Sequence, residues 1–457
     1  MLKFSSSLIL ICFLGIVNIA EGQEKSKKNQ RDWAESYSIA LEQNLRGNLL
    51  ESWYPKAFDF DSGGFFSDFD YVFELKSSPQ KKFIVTQSRH LWSNSIGHQL
   101  YPETEHYSIG MKLGFQFLRD KMWDKEYGGF YQLVNRSGQP IAEASSTKTA
   151  YGNSFAIYAL ATYFASSQDS AGLDLAIRTF NWLEKHSHDK NHKGYFQHLD
   201  REGKPIKRPI DEPTTSDIGY KDQNSSIHLL EAFTALYEVW KDPLLKMRLE
   251  EMFFLVRDQI THDRGHLILF FEADWTPVSF ADQEEEVILQ HRKLDHISFG
   301  HDVETAFLLM EAAQTLGLGD DPVTLAKSKK MLDHALEFGW DRELGGFYDE
   351  GYYFGEEAVP RIIKDSKNWW AQAEGMNAIL MMGLYFSDGP NDYLNKFQKQ
   401  WAYIDAYLVD HENGDWYSGG KDKQPSIVKA DKGHAWKGNY HQVRSLKHSI
   451  KMLEKLH

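Results

Sequence analysis

The feature that most constrains this chain is a turn that recurs six times. DSGGFF (61–66), DKEYGGFY (124–131), DKNHKGYF (189–196), DRGHLILFF (263–271), DRELGGFY (341–348) and DHENGDWY (410–417) each join an acidic residue and a polar stretch to aromatic or apolar residues. Their glycines, at 63, 128, 194, 265, 345 and 414, lie 65, 66, 71, 80 and 69 residues apart. Self-similarity at such a period marks a repeated supersecondary unit. Between the turns, 154–167, 225–240, 302–317 and 369–386 carry apolar residues at helical spacing. Several are apolar on more than one face, as helices buried on both sides must be. Each interval has room for two helices and a turn. Six helical hairpins closed on themselves give an all-α fold, an (α/α)6 barrel with an inner helical ring around a central cleft and short β-hairpin turns at one end. No Pro/Gly/Ser-rich linker divides the chain, so 31–457 reads as one catalytic domain.

The N-terminus reads as an export signal. Lys3 precedes the short apolar run Leu8 to Ala20, and Ala20 and Gly22 supply the small residues of a cleavage site. Residues 1–22 are therefore expected to be a signal peptide, 23–30 a flexible leader, and the protein periplasmic or secreted. The single cysteine, Cys12, lies inside the signal after Ile11, a poor context for acylation. The mature chain then has no disulfide, no thiolate nucleophile and no membrane attachment. A formal net charge of −14 argues against nucleic acid as a partner. No phosphate loop or dinucleotide fingerprint is present, so no cofactor is expected. Aromatics make up 14% of the residues, which suits a protein that stacks sugar rings, although most must be core.

Four clusters could carry chemistry. Asn224 and His228 are four apart and share a helix face; His301 and Glu304 are three apart, so the carboxylate could orient the imidazole. Trp370 and Glu374 are four apart, and Trp436 and His441 follow a Gly-containing loop before the last helix. Each has a bland reading as surface, helix-start or core residues. What favours function is that polar pairs begin or interrupt strongly apolar helices, where buried polar groups need partners or a task. No histidine pair has the HExxH spacing, so no metal is expected.

The blocks RHLWSNS (89–95), YGGFYQLVNRSGQPI (127–141), KTAYGNSFAIYALATYF (148–164), NSSIHLLEAFTALYEVWKDP (224–243), SFGHDVETAFLLMEAA (298–313), KNWWAQAEG (367–375) and KGHAWKGNYHQVR (432–444) resemble the N-acylglucosamine 2-epimerase superfamily, most of all its cellobiose 2-epimerase branch. The resemblance runs along nearly the whole mature chain and implies the same (α/α)6 barrel. By that resemblance, Arg89 holds the sugar and its enediolate, and Tyr151, Asn224 and His228 contact sugar oxygens. His301 and His441 are implied as the acid/base pair, Glu304 and Glu374 as the carboxylates that tune them, and Trp370 and Trp436 as stacking platforms. The implied reaction moves the C2 proton of an opened aldose through an enediolate, with a mono- or disaccharide as the partner and a monomer or homodimer as the assembly.

Three places depart from the branch. Ser226 stands where a second histidine is usual, Phe307 where a tryptophan is expected, and Gly438–Asn439 where Cys-Pro is common. Placed in or beside the pocket, these changes bear on which sugar is used. Cellobiose or mannobiose leads; an aldose–ketose isomerase acting on mannose shares the chemistry. An (α/α)6 glycoside hydrolase would instead need two carboxylates flanking a glycosidic bond, and a non-catalytic sugar-binding protein would not need the acid/base set.

Overall fold

A computed structural model describes residues 30–456 apart from 142–145, 208–219, 320, 356 and 387–391. The expected signal peptide and all but the last residue of the leader lie outside the described residues; Gln30, assigned to the leader, is already helical. Among the described residues, no helix is long and apolar enough to cross a membrane.

Helices account for most of the chain, in two rings. The inner ring is α2 (Ile84–Leu100), α4 (Ala150–Ser167), α6 (Gln223–Val239), α9 (Phe299–Thr315), α11 (Trp369–Tyr385) and α13 (Tyr440–Leu453). The outer ring is α1 (30–43), α3 (Glu105–Phe117), α5 (Ser170–His186), α7 (Pro243–Phe254), α10 (Pro322–Phe338) and α12 (Tyr393–Tyr407). Each inner helix packs on the next and α13 closes the ring on α2. Composition explains the division. The inner helices α4 and α11 are buried over almost their whole length, whereas α5 buries Leu175, Ala176, Thr179, Phe180, Trp182 and Leu183, the single stripe of an amphipathic helix. Outer helices start at aspartate caps: Asp242 and Asp321, each followed by proline at the first helical position, accept N–H bonds from Leu244 and Leu245, and from Thr324. A short α8 (Glu285–His291) lies between the fourth turn and α9, which accounts for the long fourth interval.

The recurring turns lie at one end. Short strands lead directly into inner helices: Lys82–Phe83 into α2, Thr147–Thr149 into α4, Lys221–Asp222 into α6 and Ile297–Ser298 into α9. Each pairs antiparallel with a strand at the end of the next turn in the chain or just after it. All these inner helices therefore begin at the hairpin end.

Five turns share an anchor that the sequence reading overlooked. A buried lysine binds the turn's aspartate: Lys82 to Asp59 at 2.9 Å, Lys148 to Asp124 at 2.9 Å, Lys221 to Asp189 at 2.8 Å, Lys367 to Asp341 at 2.8 Å and Lys432 to Asp410 at 2.7 Å. The same aspartates accept backbone N–H bonds from residues two or three further on. In the first turn the anchor is Asp59, not the Asp61 of the motif. The fourth turn has neither partner: His262 and Ile297 stand in the two places, and Asp263 is fully exposed.

Candidate active site

Nine of the ten singled-out residues lie on inner helices, within six residues of their N-termini: Arg89 on α2, Tyr151 on α4, Asn224 and His228 on α6, His301 and Glu304 on α9, Trp370 and Glu374 on α11, and His441 on α13. Six N-termini converging on one cleft present partial positive charge, a field suited to an anionic sugar intermediate. Trp436 lies in the loop before α13, 37% exposed, its ring 4.7 Å from that of Phe83.

The side chains form a connected set. His441 Nδ1 lies 2.8 Å from Glu374 Oε1, and His228 Nδ1 lies 2.8 Å from Glu231 Oε2. His301 Nδ1 pairs with the Ser298 hydroxyl at 2.8 Å. With Nδ1 engaged on each ring, Nε2 is the nitrogen left for a substrate. The indole of Trp370 touches both proposed acid/base rings, 4.7 Å from His301 and 5.8 Å from His441. Arg89 donates to the Tyr151 hydroxyl and to the Trp436 carbonyl, each at 3.2 Å, and its guanidinium lies over Phe155 and Tyr440. Asn224 Oδ1 is buried without a partner among the described residues, an acceptor open to a ligand.

The expected pairing of Glu304 with His301 is not what holds either group. Glu304 bonds Arg444 and stands 3.9 Å from His441 Nδ1; Ser298 holds His301. Arg444, three residues after His441, was missed. Its buried guanidinium binds Glu231 and Glu304, lies 2.7 Å from Glu374, and donates to the Tyr440 hydroxyl at 2.7 Å. Glu231, also missed, lies three residues from His228, the spacing that had drawn attention to Glu304; the same test applied to every histidine finds Glu231, whereas Arg444 is found only through its partners on other helices. Glu304, Glu374 and His441 bring ligand atoms within 4.8 Å of one another, yet the Arg444 guanidinium already bonds both carboxylates.

Burial sets the ionisation. It pushes His301 down to about 4, against the opposing pull of Glu304, and His441 well below the ordinary histidine value, with Arg89 adding to the effect. Burial raises Glu374 above the usual carboxylate value although Arg444 opposes it. At Glu231 burial is overcome by Arg444 and His228, which hold it below the usual range.

Each of the three departures has neighbours of its own. The Ser226 hydroxyl, on α6, donates to the carbonyl of Asp222, the residue that caps that helix. Phe307 lines a cavity of about 290 Å³ with Met310 and His448, further along α9 than Glu304. Asn439 Oδ1 is 3.4 Å from the Tyr54 hydroxyl, which pairs with His90 at 2.9 Å, and Gly438 borders the same His90 ring.

With this geometry in hand, comparison with known proteins is decisive at the family level. The model of N-acylglucosamine 2-epimerase (GlcNAc 2-epimerase) matches residues 64–445. The chain belongs to this family. It is accordingly an enzyme of the isomerase class, a carbohydrate epimerase. A cellobiose 2-epimerase from Bacteroides fragilis is 29% identical over 406 residues, covering 88% of this chain and 96% of that one. A D-mannose isomerase from Marinomonas mediterranea is 21% identical over 413 residues, covering 88% and 94%. The solved cellobiose 2-epimerase of Spirochaeta thermophila superposes with a TM-score of 0.78 at 26% identity, covering 93% and 98%. The family and the (α/α)6 barrel expected from the sequence are both borne out.

Proposed function

We propose that this enzyme inverts C2 of the reducing-end residue of a β-1,4-linked disaccharide, turning cellobiose into glucosyl-mannose or mannobiose into mannosyl-glucose. The observation that carries the reading is the pair of imidazoles, His301 and His441, packed on one indole, Trp370, at the convergence of helix N-termini. The bound aldose opens, and the C1 carbonyl acidifies the C2 proton. In one direction His301, neutral because of burial, takes that proton through Nε2. The enediolate lies among the helix N-termini, with Arg89 and His228 as donors to its oxygens.

The second proton comes from the His441–Glu374 pair. Burial favours a protonated Glu374, whose hydroxyl donates to His441 Nδ1 and leaves the proton of the ring on Nε2. Delivery of that Nε2 proton to the opposite face of C2, with the Glu374 proton passing to Nδ1, completes inversion and leaves a neutral ring beside a carboxylate. Arg444 stands ready for that charge at 2.7 Å. The reverse reaction runs the same steps backwards.

A second reading, isomerisation of mannose to a ketose, uses the same enediolate but returns the proton to C1; the relative from Marinomonas mediterranea supports it. Hydrolysis has less support, because Glu304 and Glu374 both bond Arg444 and so stand side by side instead of facing each other across a bond. We also infer, from the N-terminal pattern alone, that the enzyme is exported and meets its sugar outside the inner membrane.

Incubation with cellobiose, mannobiose and mannose in heavy water, followed by chromatography and mass analysis, tests the reading. An epimer labelled at C2 supports it, a ketose favours the second reading, and cleaved monosaccharides overturn both.

A further inference from the structure

Among the six turns the fourth is built differently, and the difference lies beside α9, which carries His301 and Glu304. In the other five an aspartate accepts backbone N–H bonds and is tied to a buried lysine. In the fourth, His262 takes the place of the aspartate: its Nδ1 accepts the Arg264 N–H at 3.0 Å. The lysine place is Ile297, the residue next to Ser298 at the foot of α9. In place of the ion pair stands a group of rings. His262 stacks on His266 at 4.7 Å, His266 lies 5.4 Å from His334 and 5.5 Å from Tyr353, and His334 Nε2 pairs with the Tyr353 hydroxyl at 2.8 Å. The Nδ1 atoms of His266 and His334 are buried without partners among the described residues. The turn is also tied directly to the helix, since Asp302 Oδ1 accepts the Leu267 N–H at 2.9 Å.

We propose that the fourth turn is an acid-sensitive latch on α9: protonation of its histidines releases the turn, and with it the helix end that carries His301 and Glu304. The chemistry is specific to this turn. A carboxylate accepts an N–H down to the pH at which it protonates, and the lysine-bound Asp59, Asp124, Asp341 and Asp410 are held at about 2. A protonated His262 Nδ1 becomes a donor facing the Arg264 N–H, so that bond is lost.

The surroundings offer little compensation. Arg264 on the turn and Lys327 and Lys330 on α10 bring positive charge to the stack. The opposing carboxylate on the turn, Asp263, is fully exposed and 3.6 Å from Lys327. From α9, burial keeps the Asp302 carboxyl towards its neutral form. Glu337 on α10 acts on Tyr353, and residue 357 approaches Arg264 only through its carbonyl. Burial and these neighbours keep His262, His266 and His334 below the ordinary histidine value of 6.5, His334 at about 4. The neutral stack is thus intact above 6.5 and lost as the pH falls from there towards 4.

Hydrogen exchange of the full-length enzyme, expressed as protection factors at pH 7 and pH 5, tests this without reference to the reaction. Protection over 261–271 and the start of α9 is expected to fall at pH 5 while the homologous turn 124–131 keeps its own. In His262→Asp, which installs the acceptor of the other turns, and in His262→Asp/Ile297→Lys, which installs the whole ion pair, the acid loss over 261–271 is expected to shrink to what His266 and His334 contribute. His266→Phe keeps a ring in the stack and removes one titration, and its loss is expected to move to lower pH. Equal loss in both turns of the wild type overturns the proposal, as does an unchanged acid loss in whichever of these variants folds.

Discussion

Glu374 Oε1 stands 2.8 Å from His441 Nδ1, and the same oxygen is 2.7 Å from Arg444. A carboxylate that is both a proton store and the counter-ion of a buried guanidinium must cost energy in either protonation state alone, which is the condition for passing a proton on. Glu374→Gln keeps the shape and removes the transferable proton. Turnover is expected to fall by about 10²- to 10⁴-fold with KM little changed. In heavy water one of the two epimers is still expected to exchange its C2 hydrogen through His301 without inverting, which product analysis by NMR checks. Loss of exchange and inversion together would show that Glu374 does not act through His441.

Arg444 is bonded to Glu231, Glu304 and Glu374 at once. Arg444→Met leaves the buried Glu231 and Glu304, and Glu374 once it has given up its proton, without their counter-ion, a loss of about 3–5 kcal/mol. Urea unfolding at pH 7 measures it. The sign with pH follows from Glu231, which is held below its ordinary value of 4.5 in the fold. Its contribution is present above 4.5 and lost as the pH falls through the depressed value. The gap between wild type and variant is therefore expected to narrow as the pH is lowered below that point.

The lysine anchors make a second stability claim, away from the chemistry. Lys148 and Asp124 are both fully buried side chains, and Arg201 also binds Asp124 from the surface. Lys148→Met is expected to cost about 3 kcal/mol, the lower end for a broken buried pair because Arg201 remains. Asp124 is held at about 2 against an ordinary 3.8. The stabilisation it represents is full above 3.8 and lost on the way to about 2, so unfolding titrations of wild type and variant are expected to converge there. KM for the sugar should be unmoved, since neither residue reaches the cleft.

Architecture was legible in the sequence because the turn repeats with its glycines, and because burial on two sides forces an apolar pattern that α4 and α11 display along their length. The site was legible as a set of places on inner helices, but not in its pairings. Local spacing suggested Glu304 for His301, whereas Glu304 reaches past α11 to Arg444 on α13, 140 residues away in the chain. Such a bond is decided by which helices face each other, and helix spacing within one element carries no information on that. The buried lysines were invisible for a related reason. A lysine reads as surface until a partner is placed beside it, and its aspartate lies in a turn some twenty residues earlier. His262 was hidden behind its neighbour Asp263, because the motif was read by residue type and the structure uses the position.

Gly300 offers a test of the two-imidazole arrangement that leaves every reacting group in place. It lies in the first turn of α9, and a Cβ there would come within 2.7 Å of both the Trp370 ring and the Ala371 methyl. Its backbone is helical, so alanine brings no conformational strain and the effect is steric alone. Gly300→Ala must push the indole off the two histidine rings it contacts. Overpacking of this kind costs about 1–3 kcal/mol, and a displacement near 1 Å costs about 10²-fold in rate. The double variant Gly300→Ala/Trp370→Phe provides the smaller ring and is expected to regain stability while remaining slow. Thermal unfolding and turnover measured together on the two proteins separate packing from positioning. Full recovery of rate with the smaller ring would mean that Trp370 fills space and does not set the two histidines against the sugar.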